Sequence, residues 1–294
     1  MPAGPGGENG VSYQTIRVKR LSGALGAEIF GVDLAKPLGN QTFAEIHRAF
    51  LENLVIFFRD QHLDPEQHKA ISARFGRLEQ VKYVTPIDGH PEIIPVIKEA
   101  DERGKFNFGG AWHSDMSYLP EPPLGSVLYA KEVPAYGGDT LWTNMYLAYE
   151  TLSVGMQRLL DGMMAVHSAG RAYGPRGTFK NNDIKSMRIT PSQDAEQETE
   201  HPVVRTHPET GRKALYLNPV YTVRFKDMTA RESRPLLEFL QAHAVREQNT
   251  CRFRWARGSV ALWDNRCTQH LALNDYDGQR REMQRTTIAG DRPR

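Results

Sequence analysis

The chain has 294 residues, 39% of them hydrophobic and 24% charged, with a formal net charge of +2. This composition supports a large apolar core and excludes a disordered or fibrous protein, and the length favours one elaborated domain over two small ones. The basic residues are scattered and the net field is weak, which excludes a function steered by a polyanion, so no nucleic-acid partner is expected.

No stretch approaches the roughly 18 apolar residues that suggest a membrane span. The opening MPAGPGGENG lacks the basic start and apolar centre of a secretion signal. A cytoplasmic protein without a membrane partner is therefore expected. Two cysteines, Cys251 and Cys267, rule out a disulfide framework or a paired-cysteine metal knuckle. Both read as reduced, buried thiols.

Residues 1–12 read as a flexible tail and 13–294 as a single domain. Thr42 and Glu45 have capping-box spacing, and Phe43, Ile46 and Phe50 follow at helical intervals, which predicts a helix ending near Asn53. LVIFF at 54–58 suits a buried strand. Asp64 as N-cap, Pro65, Gln67 and Gly76 frame a second helix. SVLYA at 126–130, DTLWT at 139–143, HPVVRTH at 201–207 and KALYLN at 213–218 are strand candidates, the last two flanking the hairpin-like turn PETGR. Between them, residues 168–200 lack an apolar period and are rich in turn formers, as expected of a lid. CRFRW at 251–255, SVALWDN at 259–265 and RREMQRTTI at 280–288 complete the strands. Many short strands, with helices gathered towards the start, predict a mainly β jelly roll or sandwich with helical additions.

In GGAWHSDMSY, at 109–118, an extended backbone would place His113 and Asp115 on one face. The spacing alone is a weak signal, since it recurs at His90-Pro91-Glu92 and at His207-Pro208-Glu209, where HPETG reads as a solvated turn. His270, in a segment of turn and strand-end character within WDNRCTQH, adds a third donor. Two histidines and a carboxylate with open positions form the facial triad of non-haem iron oxygenases. A zinc hydrolase uses the same residue types, so the ligands leave the metal open. Arg281 and Arg285 share one face of RREMQRTTI, roughly 13 Å apart, far enough to hold two different anions. Guanidinium suits carboxylates, one on the far end of a diacid and the other on a substrate's acidic head. Thr140, in GGDTLW, is a candidate hydroxyl partner for the first. Trp112, Trp142, Trp255 and Trp263 read as core.

Taken in order, LSGALGAEIFGVDL, WHSD, VPAYGGDT, THPETGRKALYLNPVY, WDNRCTQH and TTIAGD resemble the taurine dioxygenase family of iron(II)- and 2-oxoglutarate-dependent dioxygenases, over about residues 13–292. The resemblance is greatest to the aryloxypropionate (phenoxypropionate) branch. It implies a double-stranded β-helix, or jelly roll, with iron(II) on His113, Asp115 and His270, with 2-oxoglutarate on Thr140 and Arg281, and with dioxygen as the other co-substrate. Arg285 would take the substrate anion, and the assembly would be a homo-oligomer. Where taurine enzymes carry a histidine, a tyrosine and an asparagine, this sequence has Val81, Val84 and Gly109, and Met116 follows the aspartate. The implied pocket is apolar and would hold taurine's amine poorly. The resemblance thus implies hydroxylation of a small organic anion, first a 2-aryloxypropionate cleaved to a phenol and a 2-oxo acid. A sulfonate or alkyl sulfate ester, releasing sulfite or sulfate, is the alternative, and a zinc hydrolase the reading from a different class.

Overall fold

A computed structural model describes residues 12–102, 107–180 and 186–294, so all but the last residue of the expected tail lies outside the described residues. The strands in chain order are β1 (Arg17–Arg20), β2 (Ala27–Phe30), β3 (Val55–Phe58), β4 (Leu78–Glu79), β5 (Ile93–Lys98), β6 (Gly125–Glu132), β7 (Thr140–Asn144) and β8 (Met164–Ser168). They continue with β9 (Glu198–Pro202), β10 (Val204–Thr206), β11 (Lys213–Leu215), β12 (Thr222–Phe225), β13 (Thr250–Phe253), β14 (Val260–Asp264), β15 (Thr268–Ala272) and β16 (Arg281–Ile288). The helices are α1 (Asn40–Asn53), α2 (Pro65–Ala73), α3 (Met145–Glu150), α4 (Val154–Leu160), α5 (Gly170–Tyr173) and α6 (Ala230–Ala244).

A large sheet runs β1-β2-β3-β14-β6-β16-β4, with β5 also paired to β16, and it faces a smaller sheet ordered β13-β7-β15. The continuous apolar run at β3 is explained by burial on both faces. Val55 and Phe57 point into the core shared with the small sheet, while Ile56 and Phe58 pack under α1 with Ile46, Ala49 and Phe50. Phe57 stacks on Phe253 at 3.9 Å between ring centroids and meets the edge of Trp142 at 5.2 Å, which locks the two sheets together. Phe57→Ala should therefore cost about 3–5 kcal/mol of unfolding free energy, read as a lowered denaturant midpoint. The layers form the jelly roll that the strand pattern suggests.

Several local expectations change. Gly39, not Thr42, precedes α1, and it offers no side-chain cap. Glu45 turns away from the helix start instead, and its carboxylate accepts the N–H groups of Gln14 at 3.0 Å and Thr15 at 2.9 Å, anchoring the first strand's approach. The box at α2 forms as read, with Asp64 and Gln67 each bonding the other's backbone N–H. Helices also occur well beyond the start of the chain. In α6 a Thr229–Glu232 capping box was available in the sequence, but Pro235 inside the helix disguises it. HPVVRTH divides at Val203 into two strands of different sheets, and PETGR closes the β10–β11 hairpin with Gly211 at φ 69°.

Residues 168–200 are not structureless among the described residues: they contain α5, a single turn at Gln193–Glu196, the start of β9 and a bridge from Ile189 to Val84. Tyr173, Met187, Ile189 and Ala195 are buried but too widely scattered to give a sustained apolar period. Residues 181–185 lie outside the described residues.

Candidate metal centre and its cavities

His270 lies in the middle of β15, paired with Trp142 of β7, rather than at a strand end. The turn it was assigned to is complete by Cys267, closed by Thr268 Oγ1 donating to the Asp264 carbonyl at 2.6 Å. His113 reaches it through an isolated antiparallel bridge, its N–H donating to the His270 carbonyl at 3.1 Å and its carbonyl accepting the His270 N–H at 2.8 Å. Ser114 Oγ adds a bond to the Thr268 carbonyl at 2.6 Å. The chain then turns at Asp115, with Met116 at φ 45°, so the carboxylate is aimed by a corner and not by strand alternation.

Asp115 Oδ1 lies 3.7 Å from His113 Nε2 and 3.9 Å from His270 Nε2. Two donors about 2.1 Å from one ion can be at most roughly 4.2 Å apart, so each of these carboxylate–imidazole pairs can share a cation. All three residues are buried, and their donor atoms lie within 4.8 Å of one another. His113 Nδ1 donates to the Ala111 carbonyl at 2.7 Å, which leaves the Nε2 lone pair directed at the cluster. Burial pushes the His113 and His270 pKa values down, His270 the further, which favours the neutral imidazole that a metal ion requires. Burial pushes the Asp115 carboxyl up, but the Arg285 guanidinium, with help from the Ser126 hydroxyl, opposes it, and the group lies well below the usual carboxylate range. Ser126 Oγ donates to Asp115 Oδ2 at 2.8 Å and Arg285 Nη1 to Oδ1 at 2.7 Å.

Arg281 and Arg285 share a face of β16, and both are buried. Arg281 is the more unusual: its Nε and Nη2 have no hydrogen-bond partner among the described residues. It lines a small cavity with Thr140, His113 and His270, and Thr140 Oγ1 accepts the indole N–H of Trp255 at 2.9 Å. A buried cation with idle donors beside a hydroxyl is a receptor for an anion. Trp142 and Trp263 are core residues as read, yet they also wall this cavity.

A second cavity of about 240 Å³ adjoins the first, sharing Phe108, Gly109, His113 and Arg285 with it, and is lined also by Val81, Met116, Tyr173 and Tyr221. Gly109 is at φ 79° with His113 Cε1 3.6 Å from where a Cβ would sit, so the position favours glycine. Val84 is not in this wall; three positions from Val81 and across a turn, it is buried and bridges Ile189. The local pattern gave no sign of Phe108, Tyr173, Phe179 or Tyr221 as wall residues, or of Ser126 against Asp115.

The HPETG segment is not a solvated turn at its histidine. His207 is 1% exposed, its Nε2 lies 3.0 Å from Asp264 Oδ2, and its Nδ1 accepts from the N–H groups of Glu209 and Thr210. His207, Asp264 and Cys267 cluster like ligands. However, both histidine nitrogens are engaged, Arg266 grips both oxygens of Asp264 at 2.8 and 2.7 Å, and burial pushes the Cys267 thiol well up. That cluster is a structural knot, and both cysteines are free and buried as expected.

The profile of the taurine catabolism dioxygenase TauD, TfdA family matches residues 17–287. An alpha-ketoglutarate-dependent sulfate ester dioxygenase of Pseudomonas putida is 36% identical over 94% of this chain and 90% of its own length. An (S)-phenoxypropionate/alpha-ketoglutarate-dioxygenase of Delftia acidovorans is 31% identical over 88% of this chain and 89% of its own. A crystal structure of a taurine dioxygenase from Burkholderia xenovorans matches with a TM-score of 0.79 at 40% identity, covering 95% of this chain and 93% of that one. Among the described residues, no helix is long and apolar enough to cross a membrane.

Proposed function

The chain belongs to the TauD, TfdA family of dioxygenases, and from that premise we propose that it oxygenates the carbon beside the ether or ester oxygen of a small organic anion. It is a 2-oxoglutarate-dependent dioxygenase that uses iron(II), 2-oxoglutarate and dioxygen, which sets aside the zinc hydrolase that the ligand types left open. His113, Asp115 and His270 hold the iron, and their neutral-imidazole and carboxylate donor set fits it. Iron and co-substrates supply the oxidising chemistry, which no side chain of the chain could provide.

The protein's part is to place and isolate the substrate. Arg281 and Thr140 take the distal carboxylate of 2-oxoglutarate in the small cavity. Arg285 takes the substrate anion at the edge of the larger one, where Val81, Gly109 and Met116 offer no side-chain donor to an amine. Tyr173, Thr178 and Phe179, from the 168–200 segment, form one wall, and this segment acts as the lid that excludes water.

The observation that carries the reading is a buried guanidinium, Arg285, that lines a cavity walled by Phe108, Tyr173, Phe179 and Tyr221. Flat aromatic walls favour an aryl body, hence a 2-aryloxypropionate. Hydroxylation of its ether-bearing carbon gives a hemiacetal whose C–O bond breaks, the phenol leaving with the hydroxyl proton and a 2-oxo acid remaining. A second reading, an alkyl sulfate ester opened to an aldehyde and sulfate, is favoured by the 36% identical sulfate ester dioxygenase. Purified enzyme with iron(II), ascorbate and 2-oxoglutarate should form succinate when given one of these anions. Phenol or sulfate in equal amount decides between them. A panel of aryloxypropionate enantiomers, alkyl sulfates and taurine that produces no succinate anywhere would sink both.

A further inference from the structure

We infer that Asn265 is a positioning residue that sets Asp115 against His270 before any metal arrives. The inference rests on the reading of Asp115 and His270 as ligands. Asn265 is 1% exposed and lies in the turn between β14 and β15, just upstream of His270. Its Oδ1 accepts two bonds, from the backbone N–H of Asp115 at 3.2 Å and from the indole N–H of Trp263 at 3.0 Å. Two N–H donors converging on one atom require that atom to be the amide oxygen, so the orientation of the side chain is fixed by its partners. The Asn265 N–H donates to the Leu124 carbonyl at 2.9 Å, which holds the residue to the large sheet.

The link matters because each ligand is incompletely held without it. Asp115 opens a corner whose next residue, Met116, is a non-glycine at φ 45°, a conformation that persists only where surrounding contacts enforce it. His270, unlike His113, has no hydrogen-bond partner for its Nδ1 among the described residues, so packing orients its ring there. That packing comes from the His113 ring on one side, 4.1 Å away between centroids, and from the Trp263 indole, 4.7 Å away. A single amide oxygen therefore ties the corner carrying one ligand to one of the two rings that pack against another. Ligand-orienting contacts of this kind are typically worth 10–100-fold in metal affinity.

Anaerobic titration with Co(II), followed by its visible absorption, tests this without turnover. Asn265→Ala should weaken Co(II) binding by about tenfold or more and shift the absorption bands, while metal-free thermal unfolding shows that the chain is folded. Asn265→Asp, which keeps an acceptor oxygen facing both N–H groups, should restore the wild-type affinity or better. Should the alanine variant not fold, Asn265→Ser carries the same expectation, since its hydroxyl is too short to reach both donors. Wild-type affinity and spectrum in the alanine or serine variant, or an aspartate variant as weak as these, would overturn the inference. Asp115→Ala separates the two levels: if it binds Co(II) normally, the ligand assignment itself falls, and if it alone loses Co(II), only the role of Asn265 does.

Discussion

Replacing His113 with alanine is expected to abolish succinate formation while the chain remains folded. The imidazole is buried beside Asp115 and His270, and its Nδ1 bond to the Ala111 carbonyl orients it towards the cluster rather than into the core. The contacts that join its segment to β15 are made by the main chain and by Ser114, so they survive loss of the ring. Removing a buried ring of this size should cost about 0.5–3 kcal/mol, less than the roughly 5–15 kcal/mol by which a domain is stable. Losing one of three ligands leaves two, too few for the facial arrangement that keeps the remaining positions in place. Succinate assays beside thermal unfolding curves check both halves. Full turnover in the variant would remove His113 from the site.

The strands were legible because their burial leaves a local trace. Val55 to Phe58 must satisfy two apolar faces at once, and Arg281, Met283 and Arg285 alternate visibly along β16. Ligand types were legible as well, but not their meeting, which depends on a backbone bridge between His113 and His270, residues far apart along the chain. What stayed hidden was decided by partners of this distant kind. Glu45 has capping-box spacing to Thr42, yet it is drawn to the N–H groups of residues 14 and 15, and His207 resembles a turn residue until Asp264 packs against it. Asn265 sits within WDNRCTQH, but no local period distinguishes an asparagine that holds a ligand from one that closes a turn. Val81 and Val84 could be told apart only once the turn between them had a direction.

Arg281→Ala and Arg285→Ala should fail in different ways, and this divergence is the sharpest test of two separate anion sites. Arg281 is 5% exposed, two of its donor nitrogens have no partner among the described residues, and burial pushes its pKa down, so none of those residues compensates the charge in full. An uncompensated buried cation is retained against its cost only if a ligand completes it. Truncating one partner of such a pair costs about 2–5 kcal/mol, so the KM for 2-oxoglutarate should rise from about 30-fold to several thousand-fold. The kcat should fall less, because the lost contact is made in the ground state and the transition state alike. Removing an unpaired charge should also leave the metal-free melting temperature unchanged or raised. Arg285 is paired already, at 2.7 Å from Asp115 Oδ1, so its loss strips a counter-charge from a ligand as well as a receptor from the larger cavity. Arg285→Ala should therefore raise the KM for the organic anion and lower metal-free stability, with the 2-oxoglutarate requirement little changed. Arg281→Lys restores a point charge without the planar fork and should recover only part of the 2-oxoglutarate affinity. If both alanine variants raised the two KM values alike, the guanidiniums would be serving one anion and the division of the site into two cavities would have no chemical meaning.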